Sequence, residues 1–408
     1  MPREGHHLPA DPMSASSAES TPAASPDPPH LPPTPDPAPH TAPTPPALTP
    51  PAPIRHAERL NPAIFDFPVE KMRSGYYSDK YFVRARDLLL SRGRGPTVTM
   101  QVFQKRDAIV AGTDEAIGML KLCLTEGYDF ADLEVRSLRD GDRTAPWETV
   151  MFITGPYPAF VHLETLCAGV LGRRTRIATN TRAVVEAAWP KSIMFFPARH
   201  DHWRVQTGDG WAAHVAGAIG VSTDAQASWW GSSGIGTVPH GLIAAFGGDT
   251  VAATAALADS LSEEVRIVSL VDFDNDSVRT SLEVARALGE RLWGVRLDTS
   301  GTMVDRSMEG EMGDFDPRGV NPRLVHKVRE ALDRAGFGHV RIVASGGFGA
   351  AKIRAFEEAG VPVDLYGVGS SLMGGSFDYT ADVVLLEGEP MAKAGRRHRP
   401  NDRLERVK

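Results

Sequence analysis

The chain has only two cysteines in 408 residues, Cys123 and Cys167, and both stand in apolar surroundings. That excludes a disulfide framework and a cysteine-based metal spacing, and it makes a reducing cytoplasm the expected setting. No apolar run approaches the ~20 residues needed to cross a bilayer, and Met1 is followed by Pro, Arg and Glu, so no secretory leader is expected. Positive charge is in short supply. Lys and Arg total 44 against 51 Asp and Glu, for a net charge of -7, which gives no electrostatic reason to seek nucleic acid or a membrane and points to a small-molecule partner. Residues 1 to 55 almost wholly lack large apolar side chains and hold more than half of the 32 prolines. Such a stretch cannot bury enough surface to offset its ordering entropy, so it reads as a disordered Pro-rich tail without a catalytic part, its His6 and His7 solvated.

What the chain does have is a rhythm. Val265 to Asp276, Leu292 to Gly301, Val340 to Gly349 and Val363 to Leu372 are short apolar runs that each end in an acid, a glycine or a small hydroxyl residue, with room for a helix between them. Continuous β-branched runs alternating with helical stretches mark parallel βα units. In barrels of that kind chemistry sits at the strand C-termini, where this chain places Asp272, Asp298, Ser345 and Gly369.

The stretch from about 76 to 157 has a different texture. Segments 97–105, 108–112, 133–142 and 148–157 are β-prone, with Asp140-Gly141 a hairpin signal, and Asp114 to Glu126 carries a helical pattern. Pro158 to Pro190 reads as helices broken near Arg173 to Thr179, and 381–393 as another hairpin. The expected fold is α/β: an irregular (β/α) barrel as C-terminal domain, preceded by a β-rich α+β N-terminal domain. The expected boundaries are 1–55 for the tail, 56–190 for the N-terminal domain with linking helices, 191–378 for the barrel, and 379–408 for a hairpin returning to the first domain plus a basic tail.

Between the two textures lies SSGIGTVPHGLIAAFGGDTVAATAAL, from Ser232 to Leu257. Small residues let the backbone pass close to a ligand, Ser232, Ser233 and Thr237 add hydroxyl donors, and His240 stands at the mouth of a helical run that continues past Asp249. Read alone, the segment is either a phosphate-binding turn or a tight strand-to-helix connection, and His240 either a nucleophile or a cap.

Several ordered motifs resemble those of the nicotinate phosphoribosyltransferase family, over about Ser78 to Arg397. Ser78-Asp79-Lys80-Tyr81-Phe82 is similar to its T-D-x-Y motif, Glu164-Thr165-Leu166 to its E-T-L helix, Gly236-Thr237-Val238-Pro239-His240 to G-T-x-x-H, and Gly294-Val295-Arg296-Leu297-Asp298 to G-V-R-L-D. The resemblance implies synthesis of nicotinate mononucleotide and pyrophosphate from nicotinate and phosphoribosyl pyrophosphate, with Mg2+, in NAD salvage. It also implies ATP as co-substrate, hydrolysed through a phosphohistidine at His240. Homologues form head-to-tail dimers in which the Tyr81 region of one subunit completes the neighbour's barrel site, so a homodimer or a multiple of one is expected.

Glycosyl transfer from a pyrophosphate donor passes through a ribosyl cation, which needs anions near the ribose. Asp298 suits the ribose hydroxyls. Asp272, with Asp274 or Asp276 behind it, either orients the ribose or approaches the metal, whose ligands the sequence leaves unknown. Ser345-Gly346-Gly347 and Gly369-Ser370 read as paired loops around the 5′-phosphate. For a carboxylated aromatic ring the resemblance supplies Tyr81 as the stacking ring, Arg199 as the cation, and Thr237 and Arg296 as further contacts. Arg176 and Arg182 either reach the pyrophosphate or are solvated on a helix face. His200-Asp201-His202 is a weak metal pattern.

The chain departs from the family at Asp298-Thr299-Ser300-Gly301-Thr302, where many members have D-S-G-D. It shares this shorter form with the compact archaeal-type branch, and ATP coupling therefore rests mainly on His240. Two other readings stand beside it. Quinolinate phosphoribosyltransferase shares the fold but calls for a denser cationic cluster than Arg199 and its neighbours supply. A binding protein on the same scaffold would use the Pro-rich arm to recruit a partner.

Overall fold

The computed structural model describes residues 49–408 apart from 312 and 314; the expected Pro-rich tail lies largely outside the described residues. Two six-stranded sheets organise the described part. One is antiparallel, in the spatial order Glu389–Pro390, Thr380–Leu386, Thr97–Phe103, Thr149–Pro156, Glu134–Ser137, Glu405–Arg406. Its inner strands read TVTMQVF and TVMFITGP, β-branched and aromatic sequences buried along nearly their whole length. Met100, Val102, Met151 and Ile153 from these strands pack with Ala116, Ile117 and Leu120 of the helix Thr113–Leu122 and with Leu171. That helix starts and ends within a few residues of the pattern read over 114–126.

The second sheet is wholly parallel, in the order Gly220–Val221, Ser192–Phe195, Leu365–Val368, Arg341–Ala344, Leu292–Leu297, Ile267–Leu270. It curls into a half-barrel with helices on its outside, the expected α/β class. The segment between its two edges completes the wall without forming a strand: Ile235 N donates to Val221 O at 2.8 Å, and Val238 N to Val268 O at 3.2 Å. Ile193, Phe195, Val295, Leu297, Ile342, Ala344, Tyr366 and Val368 fill the main core together with the inner faces of the surrounding helices.

Two expectations about helices fail. Glu164–Ala188 is one unbroken helix of 25 residues, with no interruption near Arg173 to Thr179. Arg is a good helix former, and the two threonines that suggest a break are used sideways. Thr175 Oγ1 and Thr179 Oγ1 accept from Ala111 N and Ile109 N at 3.2 and 3.0 Å, docking the helix on the short strand Ala108–Ile109. Conversely, the run starting at His240 does not continue past Asp249. It stops at Ala245, turns through Gly247 and Gly248 with φ of +70° and +90°, and restarts as Thr250–Ser260, where Asp249 Oδ1 accepts from Ala252 N.

Candidate active site

Strand-end positions converge on one cleft of about 510 Å³ at the C-terminal rim of the parallel sheet. Asp298, Ser345 and Gly369 each follow directly on the last residue of their strands, at Leu297, Ala344 and Val368, so the barrel alone brings them together. Thr237, Arg199, Arg296, Gly346, Gly347 and Ser370 also line the cleft.

Arg296 is the hub. Its Nη2 donates to Asp298 Oδ2 at 2.8 Å, its Nη1 to Thr237 Oγ1 at 3.1 Å and its Nε to Ser345 Oγ at 2.8 Å. Ser345 Oγ in turn lies 2.8 Å from Asp298 Oδ1 and 3.0 Å from Leu297 O, and donates its single proton to one of them at a time. The planar guanidinium thus ties its own strand end to the Ser345 loop and to the strandless 235–238 segment, which a lysine could not do. Its carbon lies 5.6 Å from the centre of the Phe196 ring, another cleft residue. Phe196 lies across Gly367, where a Cβ would come within 2.7 Å of the ring.

His240 opens its short helix beside this cluster, half-exposed, with Nε2 3.2 Å from Oδ1 of the Asp272 carboxylate, whose side chain is 7% exposed. Burial pushes the Asp272 carboxyl above its ordinary range, His240 pulls it down, and the nearby Asp298 charge pushes it up again. Pro239 borders the cleft, so His240 stands at its edge rather than in its floor.

The glycines of the second loop are a conformational requirement. Gly346 and Gly347 have φ of +84° and +71°, and a Cβ on Gly346 would lie 3.4 Å from Asp298 Oδ1. Across from them, Ser371 Oγ donates to Phe348 O at 2.7 Å and pins the 346–348 loop to the 369–371 loop.

Other sequence candidates fall elsewhere. Tyr81 is exposed on the helix Lys80–Ser91 and does not border the cleft of its own chain. Its motif instead docks on the E-T-L helix: Asp79 Oδ2 accepts from Thr165 Oγ1 at 2.8 Å, and Ser78 Oγ donates to His162 O. Arg182 is neither solvated nor in the cleft, being buried and paired with Glu186 at 2.8 Å. Arg176 donates to Gly375 O and likewise lies outside the cleft lining. Asp274 and Asp276 are both taken up by Arg279. Asp201 pairs with Arg173 and His202 Nδ1 accepts from Arg204 N, and among the described residues no group of three His, Cys, Asp or Glu is placed to hold a metal. Phe196, Ser222 and Ile235 line the cleft without having been singled out from sequence. Phe196 directly follows an apolar strand, a position that does not by itself separate a core aromatic from a ligand-facing one.

Residues 79–175 match the profile of the quinolinate phosphoribosyl transferase N-terminal domain. Over 355 residues the chain is 29% identical to nicotinate phosphoribosyltransferase pncB1 of Mycobacterium tuberculosis, covering 78% of this chain and 74% of that one. The chain is similar to nicotinate phosphoribosyltransferases over most of its length. Among solved structures, nicotinate-nucleotide pyrophosphorylase from Pyrococcus furiosus superposes with a TM-score of 0.69 at 29% identity, covering 82% of each chain. Human nicotinic acid phosphoribosyltransferase, at 17% identity and a TM-score of 0.58 over 77% of this chain and 75% of that one, shares the fold. Members of the nicotinate phosphoribosyltransferase family and a pyrophosphorylase therefore both resemble this chain.

Proposed function

We propose that the chain transfers the phosphoribosyl group of phosphoribosyl pyrophosphate to nicotinate, giving nicotinate mononucleotide and pyrophosphate, as a step of NAD salvage in the cytoplasm. The observation that carries this reading is the Arg296, Asp298, Ser345 and Thr237 cluster, with the two glycine-rich loops on one side and Asp272 with His240 on the other. Asp298 is held rigidly by Arg296 and Ser345. Held this way, it accepts from the ribose hydroxyls and places negative charge beside a sugar ring that becomes cationic as pyrophosphate leaves. The 5′-phosphate takes the loops Ser345 to Gly347 and Gly369 to Ser370. The pyridine ring stacks on Phe196, and its carboxylate pairs with Arg199, which is exposed and borders the cleft.

Mg2+ fits the residues present. It binds through one or two carboxylates plus substrate phosphates, and Asp272 and Asp298 are two carboxylates close enough to raise the proton affinity of the first. When bound, the ion would neutralise the leaving pyrophosphate. ATP enters at His240. In the tautomer that carries its proton on Nε2, His240 donates to Asp272 3.2 Å away and its Nδ1 lone pair is free to attack the γ-phosphorus, so that a phosphohistidine forms as ADP leaves and water later cleaves it. A homodimer, with Tyr81 of one subunit reaching the site of the other, completes the proposal.

The pyrophosphorylase likeness makes decarboxylating transfer to quinolinate the second reading. Two carboxylates beside a 5′-phosphate need more basic side chains than Arg199 and His200 supply, since Arg296 is committed to Asp298. Incubation with γ-labelled ATP tests the coupling. The wild type should retain acid-labile phosphate and form more mononucleotide with ATP than without, and His240→Ala should do neither. Equal ATP stimulation in the variant would remove His240 from the proposal.

A further inference from the structure

The proposed phosphate cradle raises an electrostatic question. Its loops are neutral: Ser345, Gly346, Gly347, Gly369 and Ser370, followed by Gly349, which opens the nine-residue helix Ala350–Glu358 with no side-chain cap on its first N–H groups. A sugar phosphate brings about two negative charges at neutral pH. Three basic side chains border the cleft: Arg199, Arg296 and His200. Arg296 has its fork filled by Asp298, Ser345 and Thr237.

Arg199 and His200 share the turn Ala198–His200, but only the His200 ring is seated on a phosphate loop. Its Nε2 is 3.2 Å from the point where a Cβ on Gly369 would stand, so the glycine is what admits the imidazole. The ring makes no hydrogen bond among the described residues, although it stands next to a cluster of charges. Those charges are already satisfied. Asp201 and Asp209 both pair with Arg173, and Asp209 with Arg174 as well. On the facing strand Arg296 and Asp298 pair with each other, and the 369–371 loop contributes only Ser370 and Ser371, which are neutral.

We infer that His200 is the side chain that binds the phosphate of this site, donating from Nε2 to a 5′-phosphate oxygen while the two loops supply main-chain N–H groups. This deepens the phosphoribosyltransferase reading and rests on it. Arg199 is then left to the carboxylate of the base, so each anionic end of the product has its own basic side chain.

Calorimetric binding of nicotinate mononucleotide and of the same nucleoside without its phosphate, to wild type, His200→Gln and His200→Arg, tests the inference. Loss of a hydrogen bond to a charged group corresponds to about tenfold or more. The glutamine variant should lose that much affinity for the mononucleotide and none for the nucleoside, and the arginine variant should retain mononucleotide binding. Equal losses on both ligands, or no loss on either, would overturn it. A wild type that binds neither ligand would sink the phosphoribosyltransferase reading and this inference together, a result distinct from either of those.

Discussion

At the scale of the residue, the site depends on one planar cation. Arg296 reaches an acid and two hydroxyls on three segments, and Arg296→Lys keeps the charge while losing the fork. We expect kcat/KM to fall on the order of 100-fold, a typical loss for one preorganised electrostatic contact, with a melting temperature close to wild type. A variant of wild-type activity would mean that the network is structural ornament. Arg296 and Asp298 were legible because strand-end acids in a βα repeat are informative and because G-V-R-L-D is an ordered motif. Phe196 was not, since an aromatic after an apolar run looks the same whether it enters the core or faces a ligand. Tyr81 was legible as a motif residue, but its exposed position outside its own chain's cleft depends on tertiary placement that spacing does not carry.

At the scale of the element, the helix Glu164–Ala188 joins the two sheets. Midway along it, Arg174 is buried and pairs with Glu115 Oε2 at 2.8 Å and Asp209 Oδ1 at 2.7 Å, so it bridges to the helices Thr113–Leu122 and Gln206–Val215. Arg174→Met leaves two buried carboxylates without their shared partner. Removing one member of a buried ion cluster costs about 3–5 kcal/mol, which urea titration should show as a lower midpoint at unchanged slope; a loss under 1 kcal/mol would mean that water or Arg173 takes over. Four strands of the parallel sheet, Ile267–Leu270, Leu292–Leu297, Arg341–Ala344 and Leu365–Val368, were readable from the sequence because each lies in a buried apolar run, whereas Ser192–Phe195 and the two-residue Gly220–Val221 were not read as strands. The unbroken long helix was not, because Thr175 and Thr179 look like helix breakers until the strand they dock on is known. The halt after Ala245 was missed for a related reason: Gly247-Gly248 within an Ala-rich run is ambiguous until φ is seen. Nor could the pattern show that 235–238 closes the gap between the edge strands, since a glycine-rich loop carries no strand periodicity.

At the scale of the whole molecule, His162 lies sealed between the opening motif and the E-T-L helix, its Nε2 3.1 Å from Cys123 O. Burial lowers its pKa to about 4 from 6.5, so the unfolded chain binds the proton first. Its contribution to stability is complete above pH 6.5 and is lost as pH falls through about 4. The neighbouring Glu164 acts oppositely. Burial, then Asp382 and Asp79, raise its carboxyl to about 7, so its contribution is full below 4.5 and lost as pH rises through about 7. In His162→Gln the decline of stability from pH 6.5 to 4 should be shallower than in wild type by up to about 3 kcal/mol. Parallel pH curves for the two proteins would show that His162 does not govern the acid limb.

The reaction itself is tested most directly by product formation from phosphoribosyl pyrophosphate and magnesium with nicotinate, nicotinamide or quinolinate, for wild type and Asp298→Asn. The account predicts nicotinate mononucleotide from nicotinate alone, with turnover largely lost in the variant although it still folds. Release of carbon dioxide from quinolinate, or turnover undiminished by the loss of the Asp298 charge, would contradict it.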